Sequence, residues 1–187
     1  MDPRRPHSNP HQLTPVKSPY IPDPVIHPDA VIAPGAQIHG QVEIGAETFV
    51  LFGVVIRAEL AGVVIGAETN IQDNAVLHDD EDAPCRVGDR VTIGHAAVVH
   101  AATIGDGCLI GIGAKALSNS VVGHGAWLAA GSVLAEGKEI PPWTLGMGIP
   151  AKPVRDLTES EVRRANEGVD HYIELADVYR QIFKGRD

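Results

Sequence analysis

The chain has 187 residues, 44% of them hydrophobic but only 4% aromatic, and it contains two cysteines. Its 15 Lys and Arg against 24 Asp and Glu leave a formal charge of −9, which repels phosphate backbones and excludes nucleic acid as a partner. Two cysteines cannot build a disulfide framework and no apolar run approaches the roughly 18 residues of a membrane span, so the expectation is a cytoplasmic protein that acts on a small molecule away from any membrane.

Residues 1–24 carry seven prolines and no hydrophobic centre, and read as an extended arm whose His7 and His11 are solvated. From residue 25 an aliphatic residue returns every sixth position: Ile26, Ile32, Ile38, Ile44, Val50 and Ile56, then Ile65, Ile71 and Leu77, then Val87, Ile93 and Val99, then Ile104, Ile110, Ala116, Val122, Leu128 and Leu134. A period of six is neither helical nor a simple alternation, and so short a repeat belongs to a solenoid. The solution is a triangular parallel β-helix of about six coils over residues 25–140, each hexad forming one flat side. Glycines directly after the inward residue, as in Ile44-Gly45 and Ile65-Gly66, suit corners that need a small or φ-permissive residue.

Two insertions break the beat, three surplus residues within Arg57–Val64 and four within His78–Arg86. Insertions into a solenoid project as loops on one face, often the binding face. The beat stops after Leu134, and residues 141–157, rich in proline and glycine, read as a linker. Thr158 and Glu161 then form a capping box that opens an amphipathic helix over 158–184, with Val162, Ala165, Val169, Tyr172, Ala176, Tyr179 and Phe183 on one stripe. That stripe requires cover from the solenoid wall or from another subunit.

Of nine histidines, His78 and His100 each follow the third inward residue of successive coils, which places them one rung apart, about 4.8 Å. His95 lies on another side of the triangle, five residues and roughly 16 Å of extended chain from His100. A metal held by all three is therefore built most simply in a threefold assembly, where His95 of one prism meets His78 and His100 of its neighbour. Three imidazoles leave one position open, as in catalytic zinc centres. His27, His39 and His124 read as wall decoration.

The segments IGAETNIQDNAVLHDD, PCRVGDRVTIGHAAVVHAATIGDGCLIGIGA and IPPWTLGMGIPAKPVRDLT together resemble the γ-class carbonic anhydrase-like family of hexapeptide-repeat proteins over residues 25–180. The resemblance implies a left-handed β-helix homotrimer with interfacial metal, ligated by His78, His95 and His100. It implies zinc, with iron or cobalt also suited to imidazole, and hydration of CO2 to bicarbonate by zinc-bound hydroxide. It further implies an interfacial ion pair between Arg57 and Asp73, and a pocket lined by Asn70 and Gln72 that holds water or bicarbonate. Glu59 stands where the family commonly has aspartate, and Tyr172 joins these as a candidate catalytic residue. The chain departs from the best-known members at Leu60, where an acidic proton-transfer residue is found, and in its short loop from Asp79 to Pro84; Asp79, Asp80, Glu81 or Asp82 is the candidate substitute, against the ordinary reading of such a charge run as solvated.

Three other readings share these features. A hexapeptide acyltransferase uses one histidine as general base toward an acyl-CoA and has a similar Gly148-Ile149-Pro150-Ala151-Lys152 tail. A metal-dependent CoA-thioester hydrolase would use the same centre. The third is a non-catalytic metal-binding, siderophore-binding or scaffold protein.

Overall fold

The computed structural model describes residues 21–184, so the arm's histidines and most of its prolines lie outside the described residues. Short parallel strands stack into a three-sided solenoid, and the six-residue beat appears as three inward columns. The first side stacks Ile26, Ile44, Ile65, Val87, Ile104, Val122 and Ile140 in register. The second stacks Ile32, Val50, Ile71, Ile93, Ile110, Leu128 and Gly146. The third stacks Ile38, Ile56, Leu77, Val99, Ala116 and Leu134. Alanine or valine two residues earlier, as at Val54, Ala75, Ala97 and Ala114, also faces inward and is fully buried. The core is thus a column of aliphatic side chains, each buried Ile or Leu contributing about 1.5–3 kcal/mol.

Because Ile140 and Gly146 extend two columns, the solenoid makes about seven turns rather than six. The proline and glycine of this stretch sit at its corners instead of ending it. Gly146 occupies an inward position that Ile140 has already filled, since a Cβ there would come 2.7 Å from the Ile140 Cγ1. The chain then folds back as the antiparallel pair Thr144–Gly148 and Ala151–Asp156, within the segment read as a linker.

Of the two reasons expected for glycine at the corners, smallness applies and backbone freedom does not. Gly45, Gly66, Gly88, Gly105 and Gly123 keep negative φ; they are needed for close approach, a Cβ on Gly45 falling 2.6 Å from the Gly66 carbonyl carbon. The left-handed residues come two positions later, as at Glu47, Glu68 and Arg90, each with φ near +55°.

The C-terminal helix spans Glu159–Lys184. Its capping box forms as read: the Thr158 N–H donates to Glu161 Oε2 at 2.9 Å, and the Glu161 N–H donates to Thr158 Oγ1 at 3.3 Å. The stripe is covered by the chain's own second side. Val169 and Ala176 are buried, and Tyr179 packs on Phe49 with ring centroids 5.5 Å apart. No helix among the described residues is long and apolar enough to cross a membrane. Cys85 and Cys108 are unpaired and buried, and burial pushes both thiols up to about 12, which makes them inert.

Candidate metal centre

All three departures from the six-residue beat fall at one edge, the corner where the third side passes into the first side of the next coil. Gln37–Ile44 pairs with Val55–Ile65 across a register shift, so that Glu59 to Gly62 bulge outward. The insertion from Asp79 to Pro84 lies on the next rung at the same corner. Asp79 ties the two together: its Oδ2 accepts the N–H groups of Leu60 and Gly62, each at 2.8 Å. The expectation that these loop acids are solvated fails here, because Asp79 is 0% exposed. Its Oδ1 is buried without a hydrogen bond and lies 3.3 Å from His78 Nδ1.

On this edge Arg57, His78 and His100 occupy successive rungs in direct register. The rings of His78 and His100 stand 5.3 Å apart at 75°. His78 Nδ1 is 2.6 Å from the Arg57 carbonyl oxygen, which can only accept, so Nδ1 carries the proton. Its Nε2 faces the Arg57 guanidinium at 3.0 Å and must therefore be the acceptor. His100 Nδ1 lies 3.0 Å from Ser118 Oγ, whose hydroxyl donates to Asp80 Oδ2 at 3.3 Å. That chain leaves the serine oxygen to accept the His100 Nδ1 proton. Glu59 grips Arg57 through both carboxylate oxygens, at 2.6 and 2.7 Å.

His95 stands across the third side, at the corner it shares with the second. Its Nδ1 is 2.9 Å from Asp73 Oδ2. Tyr172 of the helix is close enough to Asp73 for its phenol to be pushed up in pKa, first by burial and then by that carboxylate's charge. Gln72 lines a cavity with Tyr172 and donates to Asn70 Oδ1 at 3.2 Å. Asn70 is 1% exposed beneath the helix and donates to Thr92 Oγ1 at 2.9 Å, so it holds Gln72 from behind.

Within a single chain these side chains form two separate groups. One joins Arg57, Glu59, His78 and His100; the other joins Asp73, His95, Gln72 and Tyr172. Within one chain Arg57 does not meet Asp73, and His95 does not meet the other two imidazoles. The close grouping of metal-capable side chains among the described residues is Glu59, His78 and Asp79. Ser118 was missed in the sequence, being 18 residues from His100 and adjoining it only through coil register, whereas Asp79 and Asp80 were seen there only as loop acids.

The donor set fits a divalent transition metal. Each of the three imidazoles has its Nδ1 held by an acceptor, which orients the ring and leaves Nε2 as the ligating atom, the usual arrangement of metal-bound histidine. His95 and Asp73 form the carboxylate–histidine pair of such centres.

Comparison with known proteins identifies the family of the chain. Residues 23–58 match the family model described as bacterial transferase hexapeptide (six repeats). A Geobacillus kaustophilus carbonic anhydrase is 41% identical over 163 residues, covering 87% of this chain and 90% of its own. The mitochondrial γ carbonic anhydrase 2 of Arabidopsis thaliana is 35% identical over 83% of this chain, which spans only 58% of that longer relative. Among solved structures, a Bacillus cereus protein labelled an acetyltransferase superposes with a TM-score of 0.84 at 36% identity, covering 85% of this chain and 92% of its own. The solenoid is the left-handed β-helix of hexapeptide-repeat proteins, and the chain belongs to the γ-class carbonic anhydrase family within them.

Proposed function

We propose that the protein is a trimeric γ-type carbonic anhydrase that hydrates CO2 to bicarbonate, with one metal centre at each junction between protomers. The observation that carries this reading is the pairing of His78 and His100 on adjacent rungs, both with Nδ1 engaged and their rings 5.3 Å apart. His95, held by Asp73 on the opposite edge of the third side, completes the set when supplied by a neighbour. The third side has the surface for that contact: Val55, Val76 and Val98 form an outward apolar column on it, Val76 being 37% exposed.

When bound, zinc, or iron or cobalt in its place, would supply a water ionised near neutral pH and a Lewis acid for the CO2 oxygen. This chain's residues do the rest. His78, His95 and His100 would hold the ion, their Nδ1 atoms being already engaged. Arg57 and Asp73 meet across the junction and set its register, a bidentate pair between protomers. Gln72, steadied by Asn70, offers a carboxamide to orient water or bicarbonate, and the Tyr172 hydroxyl, kept protonated, closes the helix side. Glu59, freed once Arg57 turns across the junction, takes the proton outward, a role that Leu60 cannot fill and that Asp79, locked to the backbone, does not share. The compartment expected is the cytoplasm.

The test is anaerobic purification with elemental analysis, followed by stopped-flow CO2 hydration on the same sample. About one metal per chain with CO2 turnover abolished by chelation supports the reading. Full metal with no CO2 turnover contradicts it. A second reading, CoA-dependent acyl transfer, draws on the acetyltransferase label of the Bacillus cereus structure; product formation from acetyl-CoA that persists after chelation would favour it.

A further inference from the structure

The third prism edge, where the first side turns into the second, takes no part in the centre described above. It holds a cavity of about 190 Å³ between the corner column and the first turns of the C-terminal helix. Its walls include Trp127, Trp143, His124, Asp89, Asp106 and Asn166. The chain has only two tryptophans, and both are here. The inward columns of the solenoid hold no tryptophan, so this concentration lies outside them, between the corner and the helix.

The geometry points to a binding site for a small organic cation carrying an alkylated ammonium head. Indole faces attract cations through the ring quadrupole, most strongly where water is excluded. Trp127 is 8% exposed and already carries the Arg164 guanidinium 5.7 Å from its ring centroid, so it forms the inner wall and Trp143 offers the open indole face. Trp143 is 46% exposed and is braced edge-on by His124, with centroids 4.9 Å apart.

The charge around the cavity has the matching sign. Asp89 spends Oδ1 on the Ala67 N–H at 2.7 Å, and Asp106 spends Oδ1 on the Asp89 N–H at 2.9 Å. The second oxygen of each makes no hydrogen bond among the described residues. Arg90, the one cationic wall residue, is neutralised by Glu68 and Asp170, which hold its guanidinium above its usual pKa. A volume near 190 Å³ is below the roughly 300–1,000 Å³ of drug-sized pockets, so it takes a compact head and not a nucleotide or CoA. In a threefold assembly through the third sides this edge faces outward and stays open.

Because both indoles line the cavity, the intrinsic emission of the full-length protein reports its occupancy. Choline chloride is titrated against sodium chloride at matched ionic strength, and the uncharged isostere 3,3-dimethyl-1-butanol is titrated alongside. A saturable emission change with choline is expected, with the alcohol weaker by about tenfold or more, the loss of one cation–π and ion-pair contribution. Asp106→Asn, which keeps the Oδ1 acceptor for Asp89, should raise the choline half-saturation by about threefold or more at unchanged circular dichroism. Absence of a saturable response to choline in the unmodified chain, or equal response to the alcohol, overturns the assignment.

Discussion

In the single chain, Arg57 Nη2 donates to His78 Nε2 at 3.0 Å, the same lone pair that a metal would take. The guanidinium has to leave before ligation, and a carboxylate from the neighbouring protomer is the natural place for it to go. In the proposed trimer, metal uptake and assembly would thereby be coupled through one side chain. Arg57→Ala is expected to weaken the trimer by about tenfold or more in dissociation constant, since a partly desolvated charged pair across an interface is lost. Sedimentation on serial dilution checks this, and unchanged dissociation would remove Arg57 from the interface.

The Nδ1 partners make a separate prediction. His78→Ala and His100→Ala should each lose the metal with assembly retained. Ser118→Ala should keep it but bind about 10–100-fold more weakly, because the hydroxyl orients the His100 ring without touching the ion. Competition with a chelator of known affinity measures both; full occupancy in the histidine variants would refute the ligand assignment.

Stability of the solenoid should be most sensitive in mid-column. Ile93 is fully buried between Ile71 and Ile110, and Ile93→Ala is expected to cost about 2–5 kcal/mol. Chemical denaturation resolves a change of that size. A cost near zero would mean that the stacked columns are not tightly packed.

The helix start carries a pH dependence. The Arg155 guanidinium, and after it the Thr158 N–H and hydroxyl, hold the Glu161 carboxyl well below its usual range. A carboxyl depressed in the folded state adds stability that is fully present above its unfolded pKa, about 4.3, and is lost as pH falls below that value. The pair lies at the surface with Arg155 exposed, so solvent screens it and the effect is small. Glu161→Gln should therefore show a slightly smaller drop in Tm between neutral and acidic pH than the unmodified chain; an equal drop contradicts the linkage.

Much of this was legible in the chain because a solenoid writes its core as a linear repeat. Ile26 and Ile44 announce their stacking by spacing alone, and the histidine pair inherits its register from Leu77 and Val99. The capping box was equally local. The last turn escaped notice because Pro141, Pro142 and Gly146 look like breakers, although they occupy a corner and a crowded inward position. Asp79 looked like one more loop charge; only the stacking of two insertions at one corner brings the Leu60 and Gly62 amides to it. The face that receives the helix could not be read either, since Phe49 and Leu51 join its cover through contacts more than a hundred residues away in sequence.

The central claim, that each metal is held by two chains, is tested most directly by mixing defective subunits. His95→Ala chains and His78→Ala/His100→Ala chains should each be metal-free alone. Trimers containing both should regain about one metal apiece, because a single junction then has all three imidazoles. Metal absent from purified mixed trimers, or retained by either parent alone, would contradict the account.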